Sequence, residues 1–237
     1  MNTNSNSYTF LFAFVLVTVI AGLLAFTATA LKPKQMENIR NEKMQSILAS
    51  MGVETERSEA GDEFGKYIKK QWALLPDGTV DEKVDAFEIN LKNEIKKKPE
   101  DQHYPIYIGE KDGKTVYVIP LFGKGLWDDI WGYIALADDK NTIIGAVFDH
   151  KGETPGLGAE IREAWFQEQY RGKKIFDKEG DYSKNNFVSV RTVKGGASPD
   201  DVHGVDAISG GTVTSDKLTH MVRERLEHYL PFFNKTK

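Results

Sequence analysis

Three observations in this 237-residue chain predict an α+β fold behind a single N-terminal transmembrane helix. An uncharged, apolar run near the N-terminus is long enough to cross a bilayer. The middle of the chain alternates short β-branched and aromatic runs with turn residues, the pattern of hairpins. Amphipathic helical stretches precede, interrupt and follow those strands. Together they predict a twisted, mostly antiparallel sheet flanked by helices.

Composition narrows the chemistry. Lys and Arg number 31 against 35 Asp and Glu, so neither a nucleic-acid surface nor an acidic tail is indicated. The chain has no cysteine. That excludes disulfides, thiolate metal sites, cysteine nucleophiles and iron–sulfur clusters ligated by this chain.

Tyr8 to Leu31 carries no charge and is dominated by Phe, Leu, Val, Ile and Ala. About 20 residues at 1.5 Å rise span the hydrocarbon core, so this run reads as a membrane helix. Ala28-Thr29-Ala30 resembles a signal-peptide cleavage site. The apolar run is too long for a signal peptide, however, and residues 1–7 contain no Lys or Arg, so a retained anchor is expected. Lys32, Lys34, Arg40 and Lys43 all follow the span, and a positive-inside count would leave the large domain in the cytoplasm. The expected organisation is a tail over 1–7, the span over 8–31, a juxtamembrane helix and linker over 32–62, and one domain over 63–237.

Apolar periodicity predicts helices over 35–51, 64–72 and 81–98, with Gly52 ending the first. Lys96-Lys97-Lys98 suits the negative end of a helix dipole. Strands are expected at 104–108 and 115–121 around a hairpin turn at Glu110-Lys111-Asp112-Gly113-Lys114, then at 131–137 and 142–149, and later at 187–193. Residues 159–170 read as a helix with Ile161, Trp165 and Phe166 inward. A C-terminal helix carries Leu218, Met221, Val222, Leu226, Tyr229 and Leu230, with Thr214 or Ser215 as its N-cap.

Four glycine-rich stretches could carry chemistry. Gly123-Lys124-Gly125-Leu126-Trp127 matches neither a dinucleotide fingerprint nor a P-loop. It is either a plain loop with a half-buried Trp or a backbone passing close to a planar ligand with Trp127 as one wall. His150 through Gly158 holds three glycines and a proline, which fix a tight loop. In it Leu157 projects between two glycines, well placed to lie on a ring. Glu153 either bonds a polar ring edge or caps a turn. His150 has no partner at metal-ligand spacing and reads as structural. Lys194 either reaches a phosphate or flavin carbonyl or is a solvated turn lysine. Asp206 through Asp216 runs from a short strand through Ser209-Gly210-Gly211-Thr212 into a helix start, where free N–H groups favour an anion.

These stretches, with Gly172-Lys173-Lys174, occur in an order that closely resembles the C subunit of the bacterial sodium-translocating NADH:quinone oxidoreductases over nearly the whole chain. That family has one anchoring helix and FMN joined through its phosphate to the threonine ending an Asp-x-x-Ser-Gly-Ala-Thr motif. The resemblance places the phosphoester on Thr212, with Gly211 standing where the motif has Ala. The implied cofactor-binding set is Thr212, Ser209, Gly210, Gly211, Trp127, Glu153, Thr154, Leu157, Gly158 and Lys194, with no catalytic or metal-ligating residue. Implied partners are the other subunits of the complex, a flavin transferase for maturation and the bacterial inner membrane, with the large domain periplasmic against the Lys/Arg count. The homologous flavin-bearing G subunit of the ion-translocating ferredoxin:NAD oxidoreductase shares the anchor and the motif and is the nearest alternative. A membrane-tethered phosphate-binding module without redox work is the alternative from another class.

Overall fold

The computed structural model describes residues 5–236; residues 1–4 of the N-terminal tail and Lys237 lie outside the described residues. Contacts divide the chain into two units, one ending at Lys43 and one beginning at Met44.

The first unit is helical. It belongs to α1, Asn6–Ser50, which has Pro33 inside it. This is the one helix among the described residues long and apolar enough to cross a membrane. The expected span and juxtamembrane helix are therefore one continuous element. Thr18, Thr27 and Thr29 return their hydroxyls to carbonyls four residues back, which hides polar groups along an otherwise apolar surface.

The second unit is an α+β domain, as expected. Five strands form one antiparallel meander: β1 (Ile68–Leu74), β2 (Tyr104–Lys111), β3 (Lys114–Lys124), β4 (Asp129–Leu136) and β5 (Ile143–His150). The β2–β3 hairpin turns on Asp112 and Gly113, both at positive φ, the backbone of a two-residue turn that follows strand twist. The β4–β5 turn is pinned by Asp139, which accepts hydrogen bonds from the backbone N–H groups of Asn141 and Thr142.

Both faces of this sheet carry a core cluster, which is why β3, β4 and β5 read as near-continuous apolar runs. One face meets the end of α1 through Ile47, Leu48 and Met51, and also α2 (Ala60–Tyr67) through Phe64. The other face supports the larger core. There Ile119, Leu121, Ile134 and Phe148 pack with Leu218, Val222 and Leu226 of α5 (Thr212–Glu227) and with Phe232 and Phe233 of α6 (Leu230–Lys235). A separate parallel pair, β6 (Arg191–Val193) and β7 (Gly204–Asp206), leads into the Ser209–Thr212 turn.

Four expected elements differ. Residues 68–74 are strand rather than helix: Ile68 and Trp72 sit at helical spacing, but pairing with β2, Trp72 opposite Ile106, prevails. The helix expected over 81–98 is reduced to a short α3, Leu91–Glu94. Asp81, Asp85 and Asn90 each accept a bond from an N–H two or three residues on, so side chains satisfy the amides that a helix would use. The late strand keeps only its last three residues, because Ser189 stands at φ 66° and Val188 and Ser189 both donate to the Ile175 carbonyl. Residues 159–170 form a 3₁₀ turn (Gly158–Arg162), then α4 (Ala164–Gln167), broken at the extended Glu163. Ile161 and Phe166 still point inward, but the break turns Trp165 out to 51% exposure.

Candidate functional site

Three loops converge at the start of α5. The first, Gly125–Asp128, leaves β3 and closes with the Gly125 N–H donating to the Asp128 carbonyl (2.8 Å). The second, from Lys151 to Leu157, leaves β5; Leu157 and Ala159 both donate to the Thr154 carbonyl (3.1 Å each). The third is Ser209–Gly211, turning on Gly210 at φ 74°.

Glu153 joins them. Its side chain is buried, with 4% exposure for the residue. The carboxylate accepts the Trp127 N–H (2.9 Å) from the first loop and the Thr214 hydroxyl (2.6 Å) from α5. No cation pairs with it among the described residues, so these donors carry its solvation. Two glycines make the space: a Cβ on Gly125 or Gly158 would fall under 3.0 Å from the carboxylate oxygens. Glu153 caps a turn, though not its own: its carboxylate also takes the Asp128 N–H (3.4 Å) of the first loop. It faces inward and ties three elements, 61 residues apart in chain on the Thr214 side.

The N-terminus of α5 is set by Gly211, not by Thr214 or Ser215. Ser215 accepts the Ile208 N–H (3.1 Å) and donates to the Gly211 carbonyl (3.0 Å), closing the turn onto its own helix. Thr214 is 1% exposed and committed to Glu153. Thr212, the first helical residue, is half-buried and its hydroxyl has no partner among the described residues. The N–H groups of Thr212, Val213 and Thr214 have no backbone acceptor and no capping side chain there. A helix start of this kind can take an anion.

Exposed apolar side chains lie on the same loops and on the first turn of α5. Within the second unit, large hydrophobics at 40% exposure or more are Leu126, Trp127, Leu157, Trp165, Val202 and Val213. Leu126, Trp127, Leu157 and Val213 lie on the three converging elements. Leu157 packs over Gly210, where any Cβ would meet its side chain at 2.6 Å. Trp165 lies beside this group through Glu160, which accepts the Gly156 N–H (3.1 Å) and faces the indole N–H (3.5 Å).

The remaining expected residues fall as follows. Ser209, Gly210 and Thr154 are exposed; Gly158 and Gly211 are buried where the loops cross. Lys194 is exposed in the turn after β6 and makes no bond to the converging loops among the described residues. His150 is structural: its Nδ1 accepts the Glu153 N–H (3.2 Å). No cluster of His, Cys, Asp or Glu able to hold a metal occurs among the described residues. Behind the first loop, Asp129 takes both Lys124 and Lys92, which hold its carboxyl below the usual carboxylate range. Asp128 is lowered likewise by Lys151 (3.0 Å) and by the Asp129 N–H.

Comparison with known proteins gives the family. Residues 125–227, which include all three loops, match the FMN-binding domain family. The chain is 33% identical to the C subunit of the Na(+)-translocating NADH-quinone reductase of Haemophilus ducreyi, covering 85% of this chain and 82% of that one. Against its namesake from Pseudomonas aeruginosa it is 32% identical, with 87% of each covered. Among solved structures, the C subunit from Parabacteroides distasonis superposes with a TM-score of 0.77 at 39% identity, covering 86% of this chain and 96% of that one. Shewanella oneidensis NqrC superposes at 0.67 with 30% identity, covering 83% and 96%. By identity, coverage and fold, this chain belongs to the NqrC family, the C subunits of the Na(+)-translocating NADH-quinone reductases.

Proposed function

We propose that this chain is a membrane-anchored flavoprotein subunit that carries FMN as a phosphoester on Thr212 and relays electrons within a sodium-exporting NADH:quinone oxidoreductase. The observation that carries this reading is the contrast between two threonines. Thr214 is buried and bound to Glu153, whereas Thr212 is half-buried with an unpartnered hydroxyl beside three free N–H groups. The residues present therefore fit the group: an anion at Thr212 would receive backbone donors and the positive end of a 16-residue helix. When bound, FMN supplies the redox chemistry.

The chain's own residues hold and shield it. Gly210 and Gly211 let the backbone approach the phosphate. Leu157 and Trp127 supply apolar walls for the ring, while Gly158 and Glu153 hold the loops bearing them. Ser209, exposed on that turn, and Thr154, exposed on the second loop, offer hydroxyls to the ribityl chain or phosphate, and Lys194 in the turn after β6 is the cation assigned to it. Tyr8–Leu31 of α1 anchors the subunit in the inner membrane, and residues 63–237 form the flavin domain. The NADH and quinone sites and the ion path belong to partner subunits, because one uncharged span offers no ion ligands. We place the large domain in the periplasm. Protease added to intact spheroplasts should digest it, and protection until lysis would restore the cytoplasmic placement that the Lys/Arg count favours.

Co-expression with a flavin transferase that cleaves FAD tests the attachment. The wild-type chain should become yellow and give a fluorescent band on a denaturing gel, and Thr212→Val should abolish the band. A colourless wild-type chain despite an active transferase would favour the non-redox phosphate-binding module.

A further inference from the structure

A cleft lies along α5, with Lys124 at its edge where β3 enters the first converging loop. It has a volume of about 510 Å³ and is walled by Ile95 and Pro99 on one side, Phe122 and Gly123 of β3 on another, and Met221 of α5. Into it α5 presents Lys217, His220, Arg225 and His228, at intervals that keep them on one helical face. Lys124 also lines it but is already engaged by Asp129.

Arg225 is the unusual member. Only 7% of the residue is exposed, and its buried Nε makes no hydrogen bond among the described residues. Its Nη2 is paired with Glu224, a carboxylate whose own side chain is 65% exposed. A buried polar group without a partner is costly, so the idle Nε leaves a donor for which an acceptor would be favourable. Glu224 is the single acidic residue lining the cleft, against Lys217, His220, Arg225 and His228. His228 is held below the ordinary histidine range by burial and then by the Arg225 charge, with Glu224 and Glu227 opposing.

We propose that this cleft is a second ligand site, distinct from Thr212, that takes the phosphate group of a small phosphomonoester. A guanidinium fork with an ammonium and imidazoles on adjacent helical turns offers donors from several directions. That matches the three oxygens of a phosphate better than the two of a carboxylate. The volume lies in the range of small-molecule sites, and the apolar wall of Ile95, Pro99, Phe122 and Met221 would receive the organic part of the ester.

The test uses inorganic phosphate and the full chain in detergent, with histidine ¹³Cε1-labelled and observed by NMR. Phosphate should shift the His228 resonance saturably, with half-saturation at about 1 mM or lower, and raise the His228 pKa. Arg225→Gln should weaken this response about tenfold or more. Lys217→Glu, a substitution of an exposed rim residue, should weaken it without disturbing the fold and stands in if Arg225→Gln unfolds. No saturable shift, or an equal response to chloride at matched ionic strength, would overturn the proposal. A response unchanged in Lys217→Glu and in a folded Arg225→Gln would overturn it as well.

Discussion

Thr212 and Thr214 are two residues apart at the start of α5, and their side chains have opposite environments. From sequence, Thr214 reads as a helix cap, and its loss would cost about 1 kcal/mol. In the fold it donates 2.6 Å into the buried Glu153 carboxylate instead. Thr214→Val should therefore destabilise the chain by about 1–3 kcal/mol in urea unfolding, because it strips a donor from a buried charge. It should nevertheless retain flavin. Gly158→Ala is expected to behave similarly, since its methyl would press on the Thr214 hydroxyl and the Glu153 carboxylate; overpacking of this kind costs about 1–3 kcal/mol. A stability change under about 0.5 kcal/mol in either variant would mean that the loops are not tied to α5 through Glu153. The glycine-rich loops were legible in sequence because Gly, Pro and Thr at those spacings restrict the backbone directly. The Glu153 tie was not, because its partners lie 26 and 61 residues away and only the fold brings them together.

Among the elements, the hairpins were readable because alternation and turn chemistry agree locally. Asp112-Gly113 is the clearest case, both residues lying at positive φ. The elements that sequence misplaced are those where a local signal lost to something else. β1 carries helical spacing but pairs with β2, and Asp81, Asp85 and Asn90 each turn a helical pattern into successive side-chain-capped turns. Two glycines separate backbone strain from packing at this scale. Gly113 and Gly78 both have positive φ, but a Cβ on Gly113 meets nothing, whereas one on Gly78 would run into the backbone of Pro231 and Phe232 at the start of α6. Gly113→Ala should cost only the conformational term, about 1–2 kcal/mol. Gly78→Ala should cost clearly more and free α6, read as faster amide exchange in Leu230–Lys235. Equal costs would mean that α6 is not docked on the Leu75–Thr79 turn.

For the whole molecule, the α+β class and the α1 span were legible because each rests on many residues at once. The buried titrating pair of Tyr104 and His228 was not, since it forms where β2 meets the end of α5. Their rings stack at 4.5 Å and 9°. Burial and then the Arg225 charge depress the His228 pKa, with Glu224 and Glu227 opposing. A depressed pKa means that the unfolded chain binds the proton first. Stability should thus be fully present above the unfolded value of 6.5 and decline as pH falls through it toward the folded pKa. His228→Phe, which keeps a stacking ring, should flatten that part of the stability profile, and an unchanged slope would assign the titration elsewhere. The central claim is that the chain carries FMN on Thr212, and intact-mass measurement after co-expression with the transferase tests it most directly. The wild-type and Thr214→Val chains should each gain about 440 Da, the increment of a phosphoryl-linked FMN, and Thr212→Val should gain nothing. A wild-type chain without the increment, or an increment that survives Thr212→Val and disappears with Thr214→Val, would contradict it.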